Sequence, residues 1–524
     1  MNIIRKNLAT YACNVALILI TFCSSIVAAD EKENQIINHA VKAYGGDKLK
    51  QLNSLTFSGN MNQFSQWQSG HALQGPMVSY LNDVRFEYSI DLLNKRKAYK
   101  EAVTTISGGH GSNIPSVTHR LFLDGKGYSI DHALQMYQAS DRISFDNTDL
   151  GTHRLLDTLI IKQLSEERHA SQWIDMAYIE GQANDVLSIN AGTESEYYVY
   201  INKRNGYLSR VLRKRGGDMI TYDFLAHQQA DGFTWAQRLF VGTAEKVIYH
   251  SDDRYVRFNS AQDGDFQLPP QYSLRAQLYP VDVSEMIVKK LASGVYFVGQ
   301  GWAYTLFIDV GEYYISAGAW QVSPEDKNWQ AGLKLLHEET GTVKPVKQHI
   351  VTHHHNDHMM GLQDVVDQGA SLIVHAADIP SVQAHLSAPL PRERLFAISN
   401  TKNIANGNIL LFDVPNSHAN HNLAVYLPKH KILFTEDMFG SSFETAFNSP
   451  STWPSGDTYH RLEVLIDHTR KLKLEVNQYV SSHHARVLNQ KDIDKARAIA
   501  RPNKTQLMQR LFSQKRDEAF SVEK

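Results

Sequence analysis

Cysteine is almost missing from this chain. Cys13 and Cys23 are the only two among 524 residues, and both lie ahead of residue 30. A chain cut after Ala29 is therefore cysteine-free, which excludes a disulfide framework and thiolate metal ligands. An excess of one charge is missing too. The 53 Lys and Arg face 55 Asp and Glu, for a formal net charge of −2, so nucleic-acid binding driven by bulk positive charge is not expected. A long apolar run is also lacking at the start: Val15 to Cys23 spans about half of the roughly 20 residues a bilayer-crossing helix needs. No stable membrane span is expected.

That first stretch has another use. Arg5 and Lys6 precede the apolar run, and Ser24-Ser25-Ile26-Val27-Ala28-Ala29 follows it, with small residues at the −3 and −1 positions of a cut after Ala29. Together these read as a secretory signal peptide over residues 1–29. Phe22 ahead of Cys23 counts against a lipid-modified cysteine. The mature chain then carries 51 basic and 55 acidic residues, and a periplasmic or secreted location is expected.

A chain of this length exceeds one ordinary core, so two domains are expected. Residues 30–275 look β-rich. Ile36, Ile37, Ala40, Val41 and Tyr44 recur at helical spacing and stop at Gly45-Gly46. Strand-like runs follow, such as Ser54 to Gly59 and Val84 to Tyr88. A helical interruption falls near Leu155 to Leu164. The hairpin Glu196 to Leu212 is predicted to turn at Asn205-Gly206, because Asn-Gly tolerates the positive φ of a tight turn; Asp231-Gly232 is a second such turn. No catalytic constellation is visible in this half. A structural or substrate-shaping sheet is the plain reading, and a hydrophobic ligand on it is the other.

Leu268-Pro269-Pro270 reads as a linker. Beyond it, short apolar strands alternate with helices over 276–490, the pattern of an α/β layered domain. Strands are predicted at 295–298, 304–308, 313–315 and 346–351. Ser323-Pro324-Glu325-Asp326 is predicted to open a helix whose Trp329, Leu333 and Leu336 share an apolar face. Residues 491–524 form a charged helical tail split at Pro502, placed on the outside or used for association.

The chemistry concentrates in Thr352-His353-His354-His355-Asn356-Asp357-His358, after a predicted strand and before Met359-Met360-Gly361-Leu362. Alternate residues at a strand end project to one side, so His353 and His355 are expected to converge on one ion. Asp357 and His358, after the turn, are expected to reach a second ion. Nitrogen and oxygen ligands suit zinc, with iron or manganese as alternatives. A solvated histidine cluster is the plain alternative.

The pattern H-x-H-x-D-H resembles the signature of the metallo-β-lactamase superfamily, over roughly residues 285–490. The resemblance implies an αββα sandwich with two divalent metal ions at the edge where its sheets meet. It also implies three more ligands in order: a histidine, an aspartate and a histidine. His418 in Pro415 to Asn422 fits the first, with His421 as competitor. Asp437, ending Leu433-Phe434-Thr435-Glu436-Asp437, fits the second. His483 in Val480 to His484 fits the third, with His484 as rival. On this reading His353, His355 and His418 hold one ion, Asp357, His358 and His483 the other, and Asp437 bridges. Water between two cations loses a proton near neutral pH and becomes a nucleophile, and Asp357 orients it as the catalytic carboxylate. The bridging aspartate resembles the branch of lactonases, thioesterases and phosphodiesterases. The β-rich half, with its entry helix ending at Gly45-Gly46 and its meander closing on Asp231-Gly232-Phe233, is similar in pattern to the curved antiparallel sheets of periplasmic lipoprotein carriers.

This chain departs from the family pattern in places. Ile315-Ser316-Ala317-Gly318 has Ser316 where relatives carry a carboxylate, and Glu436 and His484 stand where relatives have glycine. Loss of an outer carboxylate weakens metal binding. His375 reads as structural. Trp302, Tyr304 and Trp320 are either a pocket wall or core. The expected function is a metal-dependent hydrolase for a small ester, lactone, thioester or amide. The alternatives are a dioxygenase with one iron on the same fold, and an envelope ligand-binding protein whose metal is structural.

Overall fold

The computed structural model describes residues 31–75, 77–107, 116–146, 155–275, 283–301, 303–319, 327–439, 456–483, 486–498 and 502–512. The signal segment, Trp302, Trp320, the helix start at 323–326 and His484 lie outside these residues.

A helix over residues 31–43 buries Ile36, Ile37, Ala40 and Val41, with Tyr44 beneath its end. It ends at Gly45 and Gly46, both with positive φ (124° and 59°). A Cβ on Gly45 would lie 2.6 Å from Gly232 O, so the helix end reaches the later turn only because no side chain intervenes. At that turn Asp231 (φ 53°) and Gly232 (φ 81°) are both left-handed. The Asn205-Gly206 turn differs from expectation. Only Gly206 has positive φ (76°), and the strands Tyr197–Asn202 and Leu208–Arg215 are joined by a longer loop. In it Gly206 N donates to Asn202 O and Asn202 N to Tyr207 O, both at 2.9 Å. The Asn205 side chain accepts from Tyr207 N instead of setting a two-residue turn.

These residues build one 14-stranded sheet. Successive hairpins run from an edge strand Ser171–Ile179 to Val247–Phe258, which pairs antiparallel with the first strand, Ser54–Gln68. That strand pairs in turn with Met77–Asp91 over its whole length. The other edge is Ser273–Leu274, the one parallel pairing among the described registers of this sheet. Leu268 therefore does not open a free linker. It packs beside Phe266 and Tyr272, and the chain then returns to the sheet. The entry helix and the helix Asp157–Glu166 bury their apolar faces on the sheet, with Tyr44, Leu156, Ile161, Leu187, Val199 and Leu239 in one core.

The rest of the chain is layered. One seven-stranded sheet spans Val283–Ala292 to Leu395–Ile398, and one five-stranded sheet spans Lys402–Ile404 to Gln478–Ser481. Their inner faces share a core: Phe297, Leu306 and Ile350 of the first sheet with Leu411, Val425 and Phe434 of the second. Helices cover both outer faces. Asn328–Thr340 and Leu362–Asp367 seat Trp329, Leu333 and Val365 on the first sheet. Gly456–Lys471 and Gln490–Ala498 seat Leu462, Ile466 and Ile493 on the second. The layers are thus helix, sheet, sheet, helix. A last helix, Lys504–Leu511, leaves this sandwich and buries Leu507 and Leu511 against Ala102 and Val117 of the large sheet. Among the described residues, no helix is long and apolar enough to cross a membrane.

Candidate metal centre

Strand directions decide which residues meet at one edge of the sandwich. Ile432–Thr435 and Gln478–Ser481 are parallel neighbours, so Asp437 and His483 emerge together. Leu423–Leu427 is antiparallel to Ile432–Thr435 and so starts at that same edge, just after His418. Leu423 N donates to Thr352 O at 2.8 Å, tying this edge to the loop of the other sheet. The strand Val346–Ile350 ends three residues before His353. His353 and His355 therefore meet through the loop that follows, not through strand alternation as the spacing suggested.

Two donor groups form there, each with ligand atoms within 4.8 Å of one another: His353, His355, His418 and Asp437, and Asp357, His358, Asp437 and His483. His355 Nδ1 lies 3.1 Å from His353 Nε2 and 2.8 Å from His418 Nε2. Asp437 joins the groups. Its Oδ2 is 2.8 Å from His358 Nε2 and 2.9 Å from His418 Nε2, and its Oδ1 is 2.7 Å from His483 Nε2. Asp357 Oδ2 is 3.6 Å from His358 Nε2. Tetrahedral zinc with bonds near 2.0–2.1 Å separates its ligands by about 3.3 Å, so this spacing suits such an ion. The donor chemistry suits it as well. Imidazole lone pairs and carboxylates crowd a largely buried space, and a cation there relieves their repulsion.

The backbone is held to this purpose. Asp437 has φ 57°, a left-handed conformation that is rare outside glycine but that aspartate adopts more readily than most residues, and such conformations cluster at functional sites. Arg461 donates to its carbonyl, and Asn422 Nδ2 donates to Glu436 O at 3.0 Å. His418 N donates to Asn416 Oδ1 at 2.8 Å, which orients that loop.

Electrostatics follow from the crowding. Burial, reinforced by the His358, His355 and His418 rings, drives His353 well below the ordinary histidine range. Burial also acts to lower His358, but Glu436, Asp357 and Asp437 overcome it and hold that ring well above its usual value. Burial would raise Asp437; His358, His483 and His418 overcome it and keep the carboxyl well below the carboxylate range.

The rival histidine His421 goes elsewhere. His421 Nδ1 pairs with Asp413 Oδ2 at 2.8 Å and its ring stacks on His375 at 3.5 Å. Tyr304 is buried and stacked on Phe297 at 4.9 Å, so it belongs to the core. Ser316 Oγ lies 2.8 Å from Nδ1 of buried His349, and burial pulls His349 down to about 4.

Three residues at the site carried no role in the sequence reading. Glu436 stood only as a replaced glycine, yet it is buried against His358 and accepts from Thr352. Its charge beside a ligand was the available signal. Gln68 and Ser69 come from the large sheet, about 290 positions upstream of the motif, and no local pattern marks them.

No known family profile matches this chain, and no curated protein does. Among solved structures it is similar to the metallo-β-lactamase FIM-1 from Pseudomonas aeruginosa in its mono-zinc form, at 18% identity over 42% of this chain and 96% of that one, with a TM-score of 0.33. It is also similar to a metallo-β-lactamase from Hirschia baltica (16% identity, 42% and 99% covered, TM-score 0.33). A third similar structure is a metallo-β-lactamase from Pontibacter korlensis (17% identity, 41% and 99% covered, TM-score 0.33).

Proposed function

We propose that this chain is an exported hydrolase that works with two divalent metal ions, zinc by preference, on a small ester, lactone, thioester or amide. One observation carries the reading: two donor groups of His and Asp side chains, one largely buried and the other partly exposed, share a single carboxylate, Asp437. A purely structural site needs one closed set of ligands, and a pair of sites joined by one bridging oxygen donor suits hydrolysis.

The ions would supply Lewis acidity and lower the pKa of water at the site. His353, His355 and His418 would hold one of them, and Asp357, His358 and His483 the other. Asp437 stands between the two groups. Its Oδ2 faces His418 and His358 and its Oδ1 faces His483. Asp357, the most exposed of these residues at 23% of its side chain, would accept the proton of the attacking water and turn its lone pair toward the substrate carbonyl. Burial of the histidines keeps bulk water from competing for the ions.

The test is metal content followed by activity. Purified chain loaded with zinc is expected to hold two ions by elemental analysis. It is expected to cleave at least one class in a panel of chromogenic esters, lactones, thioesters, β-lactams and phosphodiesters. One iron per chain with oxygen uptake would favour the dioxygenase alternative instead. A chain that takes up no metal ends the reading.

A further inference from the structure

The first two strands of the large sheet are also its longest, at 15 residues each. Their hairpin does not close in a tight turn. It extends through residues 69–75, including a 3₁₀ turn Ala72–Gln74, and its tip lies on the metal centre. Gln68 Nε2 donates to Asp357 Oδ1 at 2.7 Å. His355 Nε2 donates to Ser69 O at 2.6 Å. Ser69 Oγ is 2.9 Å from His354 Nε2. Asn420 N donates to Gly70 O at 2.9 Å, and Ala72 N donates to Asn420 Oδ1 at 3.4 Å. Every one of these contacts lands on the 353–358 loop or on the loop that carries His418.

Two of them have a direct consequence for ligand chemistry. A carbonyl only accepts, so His355 must carry its proton on Nε2, and in the neutral ring this leaves the Nδ1 lone pair facing His353 and His418. An ionised carboxylate also only accepts, so the nitrogen end of the Gln68 amide faces Asp357. That fixes Oδ1 outward and leaves Oδ2 toward His358. The tip is itself braced: Ser69 Oγ lies within hydrogen-bond reach of His71 O at 3.2 Å and of Gly75 O, its one proton serving either carbonyl, and Tyr80 Oη donates to Gln68 O.

We infer that the tip of this first hairpin is a working part of the metal centre, with Gln68 as the positioning residue for Asp357 and the Ser69 carbonyl as that for His355. The inference rests on the proposed two-metal reading. It assigns the large sheet a task in the chemistry, in that it holds one ligand of each ion from the outside.

Cobalt(II) titration of the full chain tests it, read by the visible spectrum of the bound ion. The variant Gln68→Ala is expected to weaken the second cobalt site by about 10- to 100-fold while the first fills normally, the range found for lost outer partners of metal ligands. Gln68→Glu, which turns an acceptor toward Asp357, is expected to weaken it more than Ala does. Gln66→Ala, on the same strand but exposed, is the control and is expected to bind like the parent. Hydrogen exchange of the unaltered chain supplies an independent reading: two bound cobalt ions are expected to slow exchange across residues 68–75. Wild-type affinity in both Gln68 variants, or exchange at 68–75 that ignores cobalt, overturns the inference while the two-metal reading stands. A parent chain that binds no cobalt overturns both.

Discussion

Glu436 Oε1 lies 3.0 Å from His358 Nδ1, on the far side of the ring from the Nε2 that faces Asp437 at 2.8 Å. It is a charge contact inside the protein, with Glu436 only 1% exposed. The surrounding chain makes room for it. A Cβ on Gly318 would lie 2.8 Å from the same oxygen, so the glycine beside Ser316 clears space for a carboxylate arriving from the neighbouring sheet.

Removing that charge is expected to weaken the ion held by His358. A carboxylate behind a ligating imidazole raises its basicity and fixes its orientation, and losing one typically lowers metal affinity by about 10- to 100-fold. Glu436→Gln keeps the shape and removes the charge. Competitive titration with a chromophoric chelator is expected to find one weakened site in that range, with the fold unchanged by circular dichroism.

Asp437 is shared, so its loss is expected to affect both groups. Asp437→Ala leaves His418, His358 and His483 facing one another without the carboxylate that now sits 2.7–2.9 Å from each. Metal content is expected to fall from two ions to one or none, and kcat/KM by about 100-fold or more, as when a preorganised charge is removed from a reaction centre. Elemental analysis and steady-state rates on whichever substrate the parent cleaves give the answer. Unchanged metal content in the variant would remove Asp437 from the site.

The large sheet has its own buried charge network, and breaking it is expected to cost stability and not chemistry. Asp157 accepts from Tyr44 Oη at 2.7 Å and from Ala236 N at 2.9 Å, and it lies 3.3 Å from His227 Nε2. It also offsets the fully buried Arg254, whose guanidinium burial lowers to about 10. Asp157→Ala leaves that cation and the tyrosine hydroxyl without their anion. A loss of about 3–5 kcal/mol is expected, the usual effect of breaking a buried pair on one side. Urea unfolding of the metal-free chain measures it; a change under 1 kcal/mol would contradict the network.

Acid is expected to destabilise the same sheet through His119 and His132. Their rings are stacked, with His119 Nδ1 2.8 Å from His132 Nε2, and His132 Nδ1 lies 2.9 Å from Tyr272 Oη. Burial, aided by Lys100 and Arg510, drops His132 to about 3. The sign follows directly. An unfolded histidine takes a proton below about pH 6.5 and the folded one does not, so stability is full above that value and falls as pH drops toward 3. His132→Gln removes one such proton. The slope of unfolding free energy against pH between 6 and 4 is expected to flatten by about 1.4 kcal/mol per pH unit relative to the parent.

Legibility in the sequence tracked how local each cause was. Trp329, Leu333 and Leu336 sit on one buried helix face because a 3.6-residue period needs only its own neighbours. Asp231-Gly232 turns as its dipeptide suggests, whereas Asn205 does not. The difference arises because Asn202 and Tyr207 had already paired around a wider loop. The spacing of the 353–358 loop was readable, yet the reason its histidines meet was not, since the strand stops at Ile350. Gln68 was invisible for a stronger reason. Its partner Asp357 lies 289 positions away, and only the packing of the large sheet's first hairpin against the sandwich creates the contact.

Metal itself is expected to be a main source of stability for the sandwich. His353, His355 and His418 hold ring nitrogens 2.8–3.1 Å apart in a buried space, an arrangement that favours a cation among them. A ligand that binds only the folded state stabilises it by about 4 kcal/mol when its free concentration is 1,000 times Kd. Chelated chain is therefore expected to melt several degrees below zinc-loaded chain by calorimetry, and adding zinc back is expected to restore the higher Tm. His421→Ala is expected to keep the full zinc-dependent shift, because that ring faces Asp413 and His375. His418→Ala is expected to lose most of it. Equal shifts in the two variants would mean that the wrong histidine of this loop has been placed at the metal.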